Sequence, residues 1–240
     1  MSKNIPSVRI GIFGSTGARD HERHGCGLWE AGYAPCVAAE GGEPVFLGET
    51  INGRSWDQVL DGLDGIVFAA GENPSPRLAA QGERLSTWCR KHKFPVLAID
   101  GGMHVLNKTF GGTLYHDLAR ELPEALQHRH PPEKGLRHAI NVVPGTLTCE
   151  MYGEGEVVVN SEHRKAVQRV GRGFRIGAQA LDGVIEAIEA ELMGWWAVGV
   201  QWHPASSTAS GLDIQLFRGL IDLCRQGVSS SHASLCVSAA

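Results

Sequence analysis

The sequence predicts an α/β fold built on a mainly parallel sheet with helices on both faces. Three observations carry that reading. Apolar, β-branched runs alternate with stretches of helical spacing, the pattern of strands joined by crossover helices. Several runs stop abruptly at glycine or a polar residue, as strands do where they leave a sheet. A chain of 240 residues, 42% of them hydrophobic, is long enough to bury the core of one such domain.

Val8–Phe13 alternates and is β-branched, so it reads as a first strand, followed by a polar, Gly-rich loop over residues 14–27. A helix is expected around Leu28–Glu40, stopped by Gly41 and Gly42, and then a short strand at Pro44–Leu47. Trp56–Leu60 suggests a helix and Gly65–Ala70 a third strand ending at Gly71. Leu78–Lys93 carries helical spacing and leads into a strand that ends at Asp100. The Pro- and His-rich stretch Leu122–Leu136 reads as a loop. Short strands are expected at His138–Val143, Leu147–Cys149, Glu156–Val159, Val184–Ile188 and Trp196–Gln201, and a closing helix at Leu212–Arg225. One domain over residues 1–226 follows, and residues 227–240 (GVSSSHASLCVSAA), which lack periodicity, are expected to form a mobile tail.

A net charge of −4 gives no case for binding nucleic acid or an anionic membrane surface. No apolar run approaches the roughly 18–20 residues of a membrane span. The strand-like VRIGIFG begins too early to leave room for a signal-peptide core. The six cysteines (Cys26, Cys36, Cys89, Cys149, Cys224, Cys236) form no CxxC pair, which suggests reduced thiols and a cytoplasmic protein. No GxGxxG or Walker-type motif supports a nucleotide, and no cofactor is expected.

Two segments carry chemistry. Phe94–Leu118 (FPVLAIDGGMHVLNKTFGGTLYHDL) is a strand, a tight turn and a helix with Asp100 held at the corner. Such a corner exposes one side chain beside backbone N–H groups at a helix N-terminus, the geometry of a nucleophile elbow. Val198–Ala205 (VGVQWHPA) is a second apolar strand that delivers His203 at its end.

Together these segments resemble the class I glutamine amidotransferase superfamily, and within it the γ-glutamyl-γ-aminobutyrate hydrolase family. That family's pattern is roughly PVLGICRGMQLLN followed by GGTLYQDL, with GVQWHPE at the second site. Here Asp100 stands for the cysteine and Ala205 for the glutamate. The resemblance covers about residues 8–225: DGIVFAAG is similar to the family's DGLLLPGGG, HAINVVPGTL to HPVRLEPGSL, and VNSEHRKAV to VNSLHHQAV. It implies a glutamine amidotransferase-like (flavodoxin-like) architecture. In the family a cysteine attacks a glutamyl amide, a histidine moves the proton and a glutamate orients the imidazole. By position Gly101 and the Ala70–Gly71 corner would supply oxyanion N–H groups. Asn160, Ser161 and His163 would lie close to the site, and Glu72 and Asn73 could contact a ligand, with surface solvation as their ordinary alternative. The family's Arg–Asp–x–x–Glu pattern in this region does not align with GENPSPRLAAQGER.

A carboxylate attacking an amide would have to form an anhydride while expelling a poor leaving group, so cysteine-type glutaminase chemistry is not expected. Three readings of Asp100 stay open. The activity is lost and the pocket retained for an amine or amino-acid-like ligand; or Asp100 and His203 hydrolyse a small amide or ester; or Asp100 caps the following helix. The function read from the sequence is accordingly a γ-glutamyl amide hydrolase-like protein with an altered site. Its alternative is a non-catalytic ligand binder or partner subunit, with self-association allowed. Ser206, Ser207, Glu162 and Asp213 are candidates to hold the His203 tautomer in place of Ala205.

The first loop holds His21, His24 and Cys26 in an H-x-x-H-x-C order that fits no standard metal site. His128, His130 and His138 read as loop and strand edge, and no metal site is assigned.

Overall fold

The computed structural model describes residues 7–15, 32–47, 53–129 and 136–237. In chain order the elements are β1 (Val8–Gly14), α1 (Tyr33–Ala39), β2 (Gly42–Phe46), α2 (Trp56–Val59), β3 (Gly65–Ala70), α3 (Pro76–His92), β4 (Val96–Asp100) and α4 (Gly101–Thr109). They continue with β5 (Thr113–Tyr115), α5 (Leu118–Glu121), β6 (Arg137–Val142), α6 (Leu147–Tyr152), β7 (Gly155–Asn160), β8 (Ala166–Arg169), β9 (Phe174–Ala180), β10 (Ile185–Ala190), β11 (Ala197–Val200) and α7 (Ile214–Val237).

A single mixed sheet runs β2-β1-β3-β4-β11-β10-β9-β6-β7, with β8 paired to β10 and β5. The strands from β2 through β11 are parallel, and every pairing beyond β11 is antiparallel. The expected parallel sheet is thus the half that carries Asp100, and an antiparallel half extends it. In the parallel half successive side chains fall on opposite faces. Ile12, Val67, Ala69, Leu97, Ile99 and Val198 pack with Leu216, Phe217 and Leu220 of α7. Ile66, Phe68, Val96 and Ala98 pack with Leu78 and Leu85 of α3 and with Met103 and Leu106 of α4. Residues buried on both faces explain why these strands read as continuous apolar runs.

Local signals set the helix ends. Ser75 caps α3 by accepting from the Leu78 N–H at 3.1 Å, with Pro76 at the first helical position. Lys93, in the left-handed region at φ 52°, ends it.

Two expectations are corrected. Leu147–Cys149 is not a strand but the start of α6. Thr146 caps it, accepting from the Cys149 N–H at 3.0 Å, and the Glu189 carboxylate accepts from the N–H groups of Leu147 (2.9 Å) and Thr148 (3.0 Å). The closing helix, expected to stop at Arg225, continues to Val237, into the segment read as a tail. Among the described residues no helix is long and apolar enough to cross a membrane.

Glu189 is fully buried and also takes two bonds from the Arg175 guanidinium, at 2.9 and 2.7 Å. It therefore ties β10, β9 and α6 through one carboxylate. Glu189→Ala is expected to cost about 2 kcal/mol of unfolding free energy, chiefly by leaving the Leu147 and Thr148 N–H groups without their acceptor, measured by urea denaturation.

Candidate active site at the elbow

The register of three parallel strands assembles the elbow. Ala70 of β3 lies opposite Asp100 of β4, and Ile99 of β4 lies opposite Val200 of β11. Their carboxyl ends reach the same edge, where open α/β sheets hold ligands. Asp100 turns the chain with φ 50° and ψ −116°, a conformation that costs an L-residue about 1–3 kcal/mol. The two glycines that follow are sterically required. A Cβ on Gly101 would sit 2.0 Å from the Gly71 carbonyl oxygen, and one on Gly102 would sit 2.0 Å from that of Phe68. Gly101, Gly71 and Ala70 are thereby brought together beside Asp100.

The Asp100 side chain is 2% exposed and makes no capping bond to α4, so the helix-cap reading is not what the structure shows. Its Oδ1 accepts from Gln201 Nε2 at 2.8 Å, and Gln201 Oε1 lies 2.8 Å from His104 Nε2. Burial, reinforced by the charge of Glu72, raises the Asp100 pKa well above the ordinary carboxyl value, against the opposing pull of the Gly101 N–H, Gln201 and Lys165. Burial and Glu72 thus both favour the uncharged form of Asp100. His104 is neutral, pushed down to about 4 by burial. Because the Gln201 oxygen faces it, its Nε2 carries the proton.

His203 is clamped through its main chain. Its N–H donates to Asn160 Oδ1 and its carbonyl accepts from Asn160 Nδ2, both at 2.9 Å. Its half-buried ring is pushed down to about 4, first by burial and then by His163. Among the described residues none of the four candidate holders reaches that ring. Ser206 bonds Asn160 and Thr208, and Ser207 and Glu162 are exposed. Asp213 accepts from the Tyr152 hydroxyl (2.7 Å), Trp202 Nε1 (3.1 Å) and the Ser210 N–H (2.6 Å). Asp100 and His203 make no hydrogen bond to one another.

The residues expected to meet a ligand are occupied with the protein itself. Asn160 holds His203, and Ser161 Oγ donates to the His128 carbonyl at 2.7 Å. Glu72 is buried and accepts from the N–H groups of Arg164 and Lys165 while pairing with Arg129 at 3.4 Å. Asn73 Oδ1 accepts from Lys165 Nζ at 2.7 Å. His163 turns away from any ligand, its Nε2 lying 3.3 Å from Glu186 Oε1. Glu72 is therefore not the solvated surface residue that was its alternative reading.

Sequence reasoning passed over Gln201, His104 and Lys165. All three sit inside quoted motifs: Gln201 in GVQWHPA, Lys165 in VNSEHRKAV and His104 one helical turn after Asp100. Cys89 is buried in α3, with its thiol pushed up by burial, and supplies no substitute nucleophile. His21, His24, Cys26 and His130 lie outside the described residues. A surface concavity of about 700 Å³ is lined by Trp56, Arg84 and Trp88 and not by the elbow residues.

A strained elbow, paired glycines behind it and a Gln-Trp-His-Pro strand end define a glutamine amidotransferase-like α/β protein. The chain belongs to the peptidase C26 family, whose pattern matches residues 10–205. It is 32% identical over 224 residues to a Mycobacterium tuberculosis protein provisionally named a glutamine amidotransferase, covering 82% of this chain and 70% of that one. It is 29% identical over 224 residues to the γ-glutamyl-γ-aminobutyrate hydrolase PuuD of Escherichia coli, covering 83% and 87%. Its fold is similar to the glutaminase domain of Trypanosoma brucei CTPS, with a TM-score of 0.62, 16% identity and coverage of 92% and 94%.

The protonated Asp100 has a thermodynamic signature. The unfolded chain releases this proton near the ordinary value of 3.8, whereas the folded carboxyl retains it. Proton binding is then greater in the folded state, so this group's contribution to stability falls as pH rises. Asp100→Asn, which mimics the neutral acid, is expected to unfold at higher urea than wild type, with the gap widening from about pH 4 towards neutrality. Urea midpoints of both proteins across that range check it.

Proposed function

We propose that this chain is a peptidase C26 protein that has given up thiolate hydrolysis and keeps the elbow as a binding site for a small amino-acid-like or amide ligand. The observation that carries the reading is the buried Asp100 carboxyl, bonded to Gln201 in surroundings that disfavour its charge. A nucleophile or general base needs an available anion, and a neutral acid is neither. His203 is pushed down to about 4 and, among the described residues, has no carboxylate bonded to its ring to fix a catalytic tautomer. A neutral acid is instead a hydrogen-bond donor. Its hydroxyl, next to the Gly101 N–H, suits a carbonyl or carboxylate oxygen of the ligand. The Escherichia coli relative is named for a γ-glutamyl amide, and a ligand of that chemistry is the one assigned here. The free thiols of Cys36, Cys89, Cys149 and Cys224 fit a reducing compartment, the cytoplasm.

The test compares turnover and binding over a panel of γ-glutamyl amides, simple amides and esters, read by mass spectrometry and thermal shift. Wild type is expected to be stabilised by a γ-glutamyl compound without consuming it. The double variant Asp100→Cys/Ala205→Glu is expected to hydrolyse the same compound at least about tenfold faster than wild type, about 1.4 kcal/mol of barrier. Wild-type turnover that disappears in both Asp100→Asn and His203→Ala would overturn the reading in favour of an Asp–His hydrolase.

A further inference from the structure

Away from the elbow, His128, His138, His163 and Glu186 converge on one point, with one ligand atom from each lying within 4.8 Å of the others. They come from separate parts of the chain. His138 is on β6 and Glu186 on β10. His163 follows β7, and His128 lies in the segment after α5. We propose that these four side chains bind a single divalent transition-metal ion, with zinc as the best match.

The tautomers are the first argument. His138 Nδ1 faces the Ala139 carbonyl at 3.2 Å, and His163 Nδ1 faces the Lys165 carbonyl at 3.0 Å. A carbonyl only accepts, so both rings carry their proton on Nδ1 and aim a bare Nε2 inward. His128 Nε2 faces the Asp182 carboxylate at 2.9 Å, which leaves Nδ1 as its bare nitrogen. Three lone pairs thus point at Glu186, whose side chain is 0% exposed and whose two oxygens accept no hydrogen bond among the described residues. Among those residues the three inward nitrogens have no hydrogen-bond partner either. Such a gathering of lone pairs around a buried carboxylate calls for a cation. The outward carbonyls and carboxylate are the partners that ordinarily fix the orientation of metal-bound imidazoles.

Distance is the second argument. A tetrahedron with ligands 2.0–2.1 Å from zinc has edges of about 3.3–3.4 Å. Glu186 Oε1 lies 3.3 Å from His128 Nδ1, 3.5 Å from His138 Nε2 and 3.3 Å from His163 Nε2. Three imidazoles and one carboxylate suit zinc and its transition-metal neighbours, whereas calcium and magnesium take oxygen ligands.

The full chain, free of any histidine tag and stripped with a chelator, would be incubated with zinc sulfate, desalted and assayed for metal. About one zinc per chain is expected, together with a rise in melting temperature of several degrees, as for any ligand that binds only the folded state. His138→Ala/Glu186→Gln is expected to lower the retained zinc at least tenfold. X-ray absorption of zinc-loaded wild type is expected to show nitrogen and oxygen ligands with imidazole scattering, a readout that does not depend on how the variant folds. No retained zinc, a thiolate ligand in the absorption spectrum, or undiminished zinc in a folded double variant would each overturn the site.

Discussion

The site depends on the three strands β3, β4 and β11 ending at the same level. Their pairing sets Ala70, Asp100 and the residues after Val200 side by side. A slip of one residue would send every side chain to the opposite face and move Asp100 off the corner. What keeps the corner tight is the absence of side chains at Gly101 and Gly102. Both let the first turn of α4 press against carbonyl oxygens of the chain at the end of β3. The strained φ at Asp100 is therefore imposed from both sides by strand register and by backbone contact.

On that frame the polar groups behave as a closed set. Gln201 bridges Asp100 and His104, and Glu72 and Lys165 tie the exit of β3 to the segment after β7. In the family pattern this corner carries a thiol that reacts as its anion. An acid placed in the same burial is driven the other way, because desolvation disfavours charge and Glu72 adds to the effect. An aspartate at this corner thus favours a group that donates a proton over one that donates an electron pair.

Much of this was legible in the sequence. The elbow, the strand that delivers His203 and the parallel half of the sheet all rest on contiguous signals: an apolar run, a paired glycine, a helix period. What escaped was set by distant partners. Leu147–Cys149 reads as a short strand, but it starts a helix because Glu189, some forty residues later, satisfies its first N–H groups. The strand β5 is only three residues long and pairs with β8, so neither carries an alternation to read. The four converging side chains at His128, His138, His163 and Glu186 follow no spacing rule, because separate strands and loops supply them. Asn160 was correctly placed near His203, yet its contact is to the main chain, which a motif does not distinguish from contact to a ligand.

The stretch from Asn160 to Lys165 has one further consequence. Within six residues it clamps the main chain of His203, turns an imidazole towards Glu186 and grips Glu72 and Asn73 at the mouth of the elbow. It is a party wall between two compartments of the molecule. Any occupant that stiffens this wall from one side alters the free energy of occupancy on the other, and the exchange is reciprocal by thermodynamic necessity. Binding at the elbow and metal binding at the histidine cluster, if both occur as proposed, would therefore be coupled through this segment.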